Sequence, residues 1–249
     1  GDVLVDVDQD QTSQEFQLLY DNGGAFRGVG GIFWLNENVA SFQQAYADDF
    51  LLLGGVPLPF TRDIEDNLNL HSWAAFTNLV YDVNERLSLT GGLRYTYELK
   101  TYGRGTFTTL APTPFMFSDS ESWSDVSPLV SVDYQFDDTT FGYAKVAKGF
   151  KSGGFNGRAN TPGLDEPYDP ETVWSYEVGA RKSSADGRFN VSGAVFYNDY
   201  KDFQARTARA TGPGEFEFPV LNAGELEIYG AELEAQALIG DALTLDAQI

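Results

Sequence analysis

The feature that most constrains the fold is an unbroken alternation of apolar and polar side chains over residues 87–100. One face carries leucine, glycine and tyrosine, and the other carries serine, threonine and charged side chains such as Arg94 and Glu98. A period of two is the pattern of a β-strand whose faces meet different surroundings. Strands in globular proteins usually have about five or six residues. The length of this run therefore predicts a strand that can cross a lipid bilayer at a tilt, for which about 9–11 residues are needed.

Similar strands recur along the chain, and no helical period persists. About ten strands are predicted, at residues 13–20, 25–36, 69–83, 87–100, 122–136, 141–150, 171–182, 188–205, 220–237 and 243–249. Short turns at 21–24, 84–86, 137–140, 183–187 and 239–242 alternate with long connections at 39–66, 104–121, 151–170 and 206–218. This order predicts an all-β, antiparallel transmembrane β-barrel with short periplasmic turns and long extracellular loops. The fold of a soluble β-sandwich does not require short and long connections to alternate.

The alternation also assigns a face to each side chain of a membrane barrel. In the clearest strand, Leu89, Leu93 and Tyr95 are expected to face lipid, and Arg94, Thr96 and Glu98 are expected to face the interior. Aromatic side chains near the short turns predict an interfacial girdle, with core packing in a sandwich as the alternative. They are Tyr20, Tyr81, Phe136, Phe141 and Phe189.

The composition excludes several classes of function. The formal net charge is −21, whereas a nucleic-acid-binding protein needs a basic surface for the phosphates. No cysteine is present, which excludes disulfides, thiolate metal sites and cysteine catalysis. No run of about 18 apolar residues exists, so no transmembrane helix is predicted.

Candidate catalytic and metal-binding groups are few. His71 is the only histidine, which disfavours a zinc site or a histidine-based triad and leaves a solvated or ligand-brushing role. Glu232 and Glu234 lie two apart on one strand face and could serve a hydrolase, but charges lining a wet lumen explain them better. The acidic residues of 165–171 could offer oxygen ligands to Ca²⁺, but their spacing matches no calcium loop.

Residues 141–157, FGYAKVAKGFKSGGFNG, combine glycines with three lysines. The stretch lacks both the spacing and the strand-then-helix context of a phosphate-binding loop. Its glycines are expected to let strand 141–150 break into a surface loop. Alternation places Lys145 and Lys148 on opposite faces, so with Lys151 they form no single basic patch for an anionic solute or for lipopolysaccharide phosphates.

Six stretches together resemble the TonB-dependent receptor family, in the order and spacing of its barrel. They are TSQEFQLLYD (12–21), LTGGLRYTYELK (89–100), FGYAKVAKGFKSGGFNGR (141–158), SYEVGAR (175–181), VSGAVFYNDYKDFQ (191–204) and NAGELEIYGAELEAQA (222–237). The resemblance implies that residues 1–249 are a partial barrel domain of the 22-stranded type. The family's plug domain and TonB-contacting segment, which precede the barrel, are not expected in this chain.

The resemblance also implies a function. It indicates a receptor in the outer membrane of a Gram-negative bacterium that imports a scarce solute, most often a ferric siderophore, although haem, cobalamin and saccharides are also family substrates. The implied partners are outer-membrane lipid and lipopolysaccharide, a small-molecule ligand, and the TonB complex, acting through the missing plug segment. No catalysis, cofactor or metal site is expected, although the ligand can carry iron. The alternatives are a passive porin-like or adhesive barrel, and a soluble carbohydrate-binding β-protein or glycosidase.

Ligand contacts are expected from the upper lumen and the long loops, where aromatic and arginine side chains suit an organic ligand. Packing within the loops is the alternative for each candidate. The candidates are Phe60, Arg62, Tyr102, Arg104, Phe115, Phe117, Phe155, Asn156, Arg158 and Tyr168.

Overall fold

The computed structural model describes residues 2–53, 56–109, 113–157, 165–212, 215–240 and 242–249. Its long strands are β1 (Asp2–Asp21), β2 (Phe26–Leu53), β3 (Val56–Asp82), β4 (Leu87–Thr108), β5 (Phe115–Asp137), β6 (Thr140–Lys151), β7 (Glu171–Ser183), β8 (Phe189–Lys201), β13 (Leu226–Ile239) and β14 (Leu243–Gln248). Between β8 and β13 lie the short strands β9 (Gln204–Arg206), β10 (Arg209–Gly212), β11 (Glu215–Glu217) and β12 (Val220–Asn222).

The ten long strands form one antiparallel sheet in the order β1 to β8, then β13 and β14. The short strands form two small sheets, β9 with β12 and β10 with β11. In the described chain, β1 and β14 each pair on one side only, so the sheet is open at both edges. The predicted all-β antiparallel meander of about ten membrane strands is confirmed.

β4 has the two faces that its alternation predicts. Leu89 and Leu93 are exposed, at 40% and 49% of their surface. On the opposite face, the Arg94 guanidinium lies over the rings of Phe33 and Phe76, 5.8 Å from each centroid. We call the face with exposed apolar side chains the outer face, and the face that carries Arg94 the inner face.

Aromatic side chains of the outer face form two levels. In the upper level, Trp34 pairs with Trp73, and Trp73 pairs with Tyr97. In the lower level, beside the short turns, Phe26 pairs with Tyr81. The nine residues of β3 from Trp73 to Tyr81 separate the levels, and about 9–11 residues are needed to cross a bilayer at a tilt. The levels therefore mark the part of the wall that faces lipid.

Phe141 is the exception among the aromatic side chains expected in the girdle. It stacks on Tyr143 at 6.2 Å, and the Tyr143 hydroxyl donates to Glu177 at 2.8 Å on the inner face. The expectation for Phe141 is wrong because the register of β6 turns its odd-numbered residues inward. The other four are exposed on the outer face: Tyr20, Tyr81, Phe136 and Phe189.

Two connections predicted to be long loops are largely strand. Residues 39–66 belong mostly to β2 and β3, and residues 104–121 mostly to β4 and β5. Above the lipid, the outer face no longer has to be apolar, so the alternation of apolar and polar side chains that marks a strand in sequence weakens while the backbone ladder continues. The connection predicted at 151–170 is confirmed, because β6 ends at Lys151 and β7 begins at Glu171.

Two predicted strands are divided. Residues 188–205 contain β8 and β9, interrupted at Asp202, whose φ is 54°. Residues 220–237 contain β12 and most of β13, and the predicted connection 206–218 carries β10 and β11. The Asn222 side-chain amide donates to the carbonyls of Asp169 and Asp202, both at 2.9 Å. These contacts hold Asp202 and Asn222 together where the chain leaves the sheet.

Buried apolar side chains lie in one part of the sheet. In the described ranges they are Ile64, Ala74, Tyr102 and Trp123, all on the inner face of β3, β4 and β5 by register. Among the described residues, no helix is long and apolar enough to cross a membrane. The burial directs attention to the inner face of β3–β5.

Candidate functional site

The candidate site lies on the inner face of β3, β4 and β5, above the upper aromatic level. β4 keeps its period of two beyond the predicted strand end, so Glu98, Lys100, Tyr102 and Arg104 share the inner face with Arg94. Residues 152–157, which we call the return segment, follow β6 and fold back onto this face. The site is therefore built from the wall and the return segment together.

A buried ion pair forms the first anchor of the return segment. Arg104 Nη1 donates to Asp66 Oδ1 at 2.6 Å and to the Gly157 carbonyl at 2.9 Å. The Tyr102 hydroxyl donates to the same Asp66 oxygen at 2.5 Å. The Arg104 side chain is only 3% exposed, and a buried charge is stable when it is paired and hydrogen-bonded. Asp66 thus supplies the charge that lets Arg104 hold the segment.

A second anchor holds the start of the return segment. The Lys100 ammonium donates to the Ser152 hydroxyl, and to the Gly153 carbonyl at 2.8 Å. The Ser152 hydroxyl donates to Glu98, which also lies 3.5 Å from Lys100. The Lys100 ammonium lies 5.6 Å from the Trp123 ring centroid. Both ends of the segment are therefore tied to β4 by charged groups.

Aromatic rings fill the space between the two anchors. Phe155 stacks on Tyr102 with centroids 5.7 Å apart and planes at 21°, and Trp123 meets Phe155 edge-on at 6.3 Å. Phe117 lies edge-on to Tyr102 at 5.6 Å, and Phe115 lies 5.8 Å from Phe117. Such pairs contribute about 0.5–1.5 kcal/mol each beyond area burial. The three phenylalanine rings remain partly exposed, so the cluster presents an aromatic surface.

The return segment also holds other connections at this end of the sheet. The Asn156 side-chain oxygen accepts from the Val220 backbone N–H at 2.6 Å. The Gln204 side-chain amide donates to the carbonyls of Ser152 at 2.9 Å and Asp169 at 3.0 Å. The β6–β7 and β8–β13 connections are thus joined through one segment.

Glycines in the return segment allow close approach of neighbouring groups. Gly154 forms an antiparallel bridge with Tyr168, with backbone bonds of 3.1 and 2.8 Å. A Cβ on Gly153 would fall within 3.0 Å of the Trp123 indole and of the Tyr168 carbonyl oxygen. The predicted break of the strand into a loop is confirmed, and close packing is the physical reason for glycine at 153.

Burial shifts the pKa of four groups at the site: Arg62, Lys100, Tyr102 and Tyr168. Burial raises the pKa of Tyr102, and the hydrogen bond to Asp66 raises it further, so its hydroxyl remains a donor. Burial lowers the pKa of Arg62, and the nearby charge of Arg104 lowers it further. Within the described part of the chain, the Arg62 guanidinium has no hydrogen bond or ion pair. A bound anion would offset this charge.

Most of the candidates selected from the sequence come together here. Three are buried and join the wall to the return segment or to a neighbouring connection: Tyr102, Arg104 and Asn156. Five are half-buried: Arg62, Phe115, Phe117, Phe155 and Tyr168. The side chain of Phe60 and the whole of Arg158 lie outside the described residues.

Sequence reasoning missed four residues of the site: Asp66, Lys100, Trp123 and Ser152. Lys100 could have been found, because it continues the inner-face phase of Arg94 and Glu98 on β4. Asp66 was hidden because the segment around it was expected to be a loop, where alternation assigns no face.

Lys145 and Lys148 have opposite phases on β6, but the ammonium groups of both reach carboxylates of inner-face residues. Lys145 Nζ lies 3.1 Å from Glu177 on the inner face. The Lys148 ammonium forms an ion pair with Asp125, beyond the last pair of the β5–β6 ladder. These partners leave neither lysine as a free anion site.

Other charged candidates lie apart from the site. Glu232 and Glu234 share the inner face and line a cavity of about 410 Å³ with Tyr143 and Arg181. His71 shares the outer face with Trp73 by alternation, so it does not face the inner-face site. No group of three or more His, Asp or Glu side chains within the described ranges is arranged to hold a metal ion.

Residues 3–248 match the model of the TonB dependent receptor-like β-barrel. The chain therefore belongs to the TonB-dependent receptor family. The pesticin receptor of Yersinia pestis is 30% identical over 165 residues, which are 66% of this chain and 23% of that protein. The pesticin receptor of Yersinia enterocolitica gives the same figures.

Solved structures share the fold. The ferric yersiniabactin uptake receptor FyuA from Yersinia pestis superposes with a TM-score of 0.77 at 22% identity, covering 100% of this chain and 36% of that chain. The copper transporter OprC gives 0.72 at 17% identity, covering 99% and 38%. The ferric-catecholate import receptor Fiu from Escherichia coli gives 0.64 at 12% identity, covering 98% and 38%. The chain thus spans less than two fifths of each of these relatives.

Proposed function

We propose that this chain forms part of the barrel wall of a TonB-dependent receptor that imports a scarce metal chelate. The proposed substrate is a ferric siderophore or another iron complex. The observation that carries the proposal is the family match across residues 3–248. FyuA is described as an uptake receptor for ferric yersiniabactin, and Fiu as an import receptor for ferric catecholates. OprC is described as a copper transporter, so a copper complex is the competing substrate.

The proposed ligand surface is the half-exposed part of the site. Phe115, Phe117 and Phe155 offer ring faces to an aromatic chelator, and Arg62 offers a charge to an anionic group. Tyr168 lies beside the return segment, and Phe60 and Arg158 stay proposed contacts. The buried candidates, Tyr102, Arg104 and Asn156, hold the surface in place.

The proposed setting follows from the family. The receptor lies in the outer membrane of a Gram-negative bacterium, in contact with lipid and lipopolysaccharide, and residues 1–249 form one barrel domain. The TonB complex drives import through a plug segment, and the protein catalyses no reaction.

An uptake assay in cells tests the proposal. Whole cells that carry the full-length receptor are given iron-55 bound to a catecholate, a hydroxamate or a citrate chelator, or copper-64 bound to the same chelators. We expect receptor-dependent uptake of at least one iron complex, lost when TonB is deleted. Uptake that continues without TonB indicates a passive barrel, and uptake of copper alone removes iron as the substrate. Cells without the receptor provide the background.

A further inference from the structure

Asp66 connects the return segment to the wall, although it lies on β3 and touches no residue of that segment in the described contacts. Its Oδ1 accepts from Tyr102 and from Arg104, and the same Arg104 nitrogen donates to the Gly157 carbonyl. Arg104 is almost fully buried. Without a carboxylate beside it, a buried guanidinium leaves its site for water or recruits another partner.

We propose that Asp66 is a positioning residue, which acts through Arg104 to fix the return segment and so sets the orientation of Phe155 on the ligand surface. The effect on the ligand surface rests on the proposed function. The fixing of the return segment by Asp66 and Arg104 does not depend on it.

The position of Phe155 depends on both ends of the segment that carries it. Lys100 holds the start through Ser152 and Gly153, and Arg104 holds the end at Gly157. Phe155 lies between these ends, stacked on the ring of Tyr102. Loss of the Asp66 charge frees the end held by Arg104 and also removes the charged partner of Tyr102. The ring then samples several orientations instead of one.

The effect extends to the neighbouring connections. Asn156, beside Phe155, accepts from the Val220 backbone, and the Ser152 carbonyl accepts from Gln204. Release of the return segment is expected to loosen residues 218–224 as well, because the Val220 backbone N–H donates to Asn156 of the segment. The lower part of β4, at residues 88–96, has no part in these contacts.

Hydrogen exchange on the full-length receptor tests the fixing of the segment without any ligand. Asp66→Asn keeps the shape of the side chain but removes its charge. We expect exchange at residues 152–157 to accelerate by about tenfold or more, with residues 88–96 unchanged. Asp66→Glu restores slow exchange. The matched control is Asp63→Asn on the same strand, whose carboxylate accepts from Gln44 at 2.8 Å and lies on the outer face; it leaves residues 152–157 unchanged.

A double-mutant cycle tests whether Asp66 acts through Arg104. We expect Asp66→Asn combined with Arg104→Met to exchange no faster at residues 152–157 than Arg104→Met alone. Unchanged exchange in Asp66→Asn, or additive effects in the double variant, overturns the proposal.

Uptake kinetics test the link to the ligand surface, with the iron-55 complexes named above as probes. In Asp66→Asn, the concentration for half-maximal uptake of the imported complex is expected to rise about tenfold while the maximal, TonB-driven rate stays the same. An unchanged half-saturation concentration overturns the link to Phe155. Absence of uptake by the unaltered receptor contradicts the proposed function instead, and leaves the exchange result to decide the role of Asp66 in fixing the segment.

Discussion

Asp137, the last residue of β5, accepts two hydrogen bonds from Thr139 in the short turn that follows. The Thr139 backbone N–H lies 2.8 Å and its hydroxyl 2.7 Å from Asp137 Oδ1. The hydroxyl bond is the largest cause, and the backbone bond the next, that lowers the pKa of Asp137 from 3.8 to about 2. Because the folded pKa is depressed, these bonds stabilise the turn fully above about pH 4. Their contribution is lost as the pH falls through about 2.

Thr139→Ala is expected to raise the pKa of Asp137 from about 2 towards 3.8, because the hydroxyl bond is lost and the backbone bond remains. Carboxyl carbon shifts recorded against pH by NMR measure the change. Thr139→Ser, which keeps a hydroxyl, serves as the control and holds the pKa near 2. Equal values in the two variants contradict the assignment of the shift to the hydroxyl.

At the site, residue types were predictable and partners were not. Tyr102 and Arg104 were selected because aromatic and arginine side chains suit a ligand, but both are buried against Asp66. Asp66 is 38 residues from Arg104 in sequence, and Gly157 is 53 residues from it. Only the pairing of β3 with β4 and the fold of the return segment bring them together. A sequence without known register does not contain that information.

At the scale of the element, β4 shows what a period of two determines. Its lower part was predicted from alternation, because lipid and lumen impose different side chains on the two faces. Its upper part, Thr101–Thr108, was not, because glycines at 103 and 105 resemble a loop and the buried inner face carries polar groups of Tyr102, Arg104 and Thr106 instead of an apolar stripe. The ladder continues there because β3 and β5 pair with it on both sides. Pairing with strands that are distant in sequence thus makes this segment a strand, although its local composition does not indicate one.

A charge on the outer face of β4 tests its orientation. Leu93→Lys places an ammonium against lipid, which costs about 2–4 kcal/mol near the bilayer midplane. We expect the free energy of unfolding of the full-length receptor in lipid vesicles to fall by about that amount, measured by chemical denaturation. Thr90→Lys on the inner face of the same strand is the control, and a smaller change is expected there. A larger loss for Thr90→Lys means that the two faces are reversed.

At the scale of the whole molecule, the open sheet limits what these residues can do alone. In the described chain, β1 and β14 each have one unpaired edge. Unpaired backbone groups cost several kcal/mol each in hydrocarbon, so membrane sheets close into barrels. The predicted size of the complete barrel came from the family resemblance, whereas the meander order came from the alternation of short turns and long connections.

Residues 1–249 produced by themselves are therefore expected to yield no closed monomer in lipid vesicles. Further strands, or further copies of the chain, must cover the two edges. Migration on gels with and without heating detects closed barrels, and light scattering gives the number of copies. A compact monomer that spans the vesicle membrane contradicts this expectation.

The strands differ greatly in height above the upper aromatic level. β2 and β3 have 28 and 27 residues, whereas β7 and β8 have 13 each. A change of one residue in a paired strand turns every side chain beyond it to the opposite face, whereas a change of two restores the pattern. During divergence, the β2–β3 hairpin can therefore lengthen or shorten in steps of two residues per strand, while the side chains below the change stay on the inner face. The height of the β2–β3 hairpin above the upper aromatic level can thus evolve separately from the side chains that line the inner face.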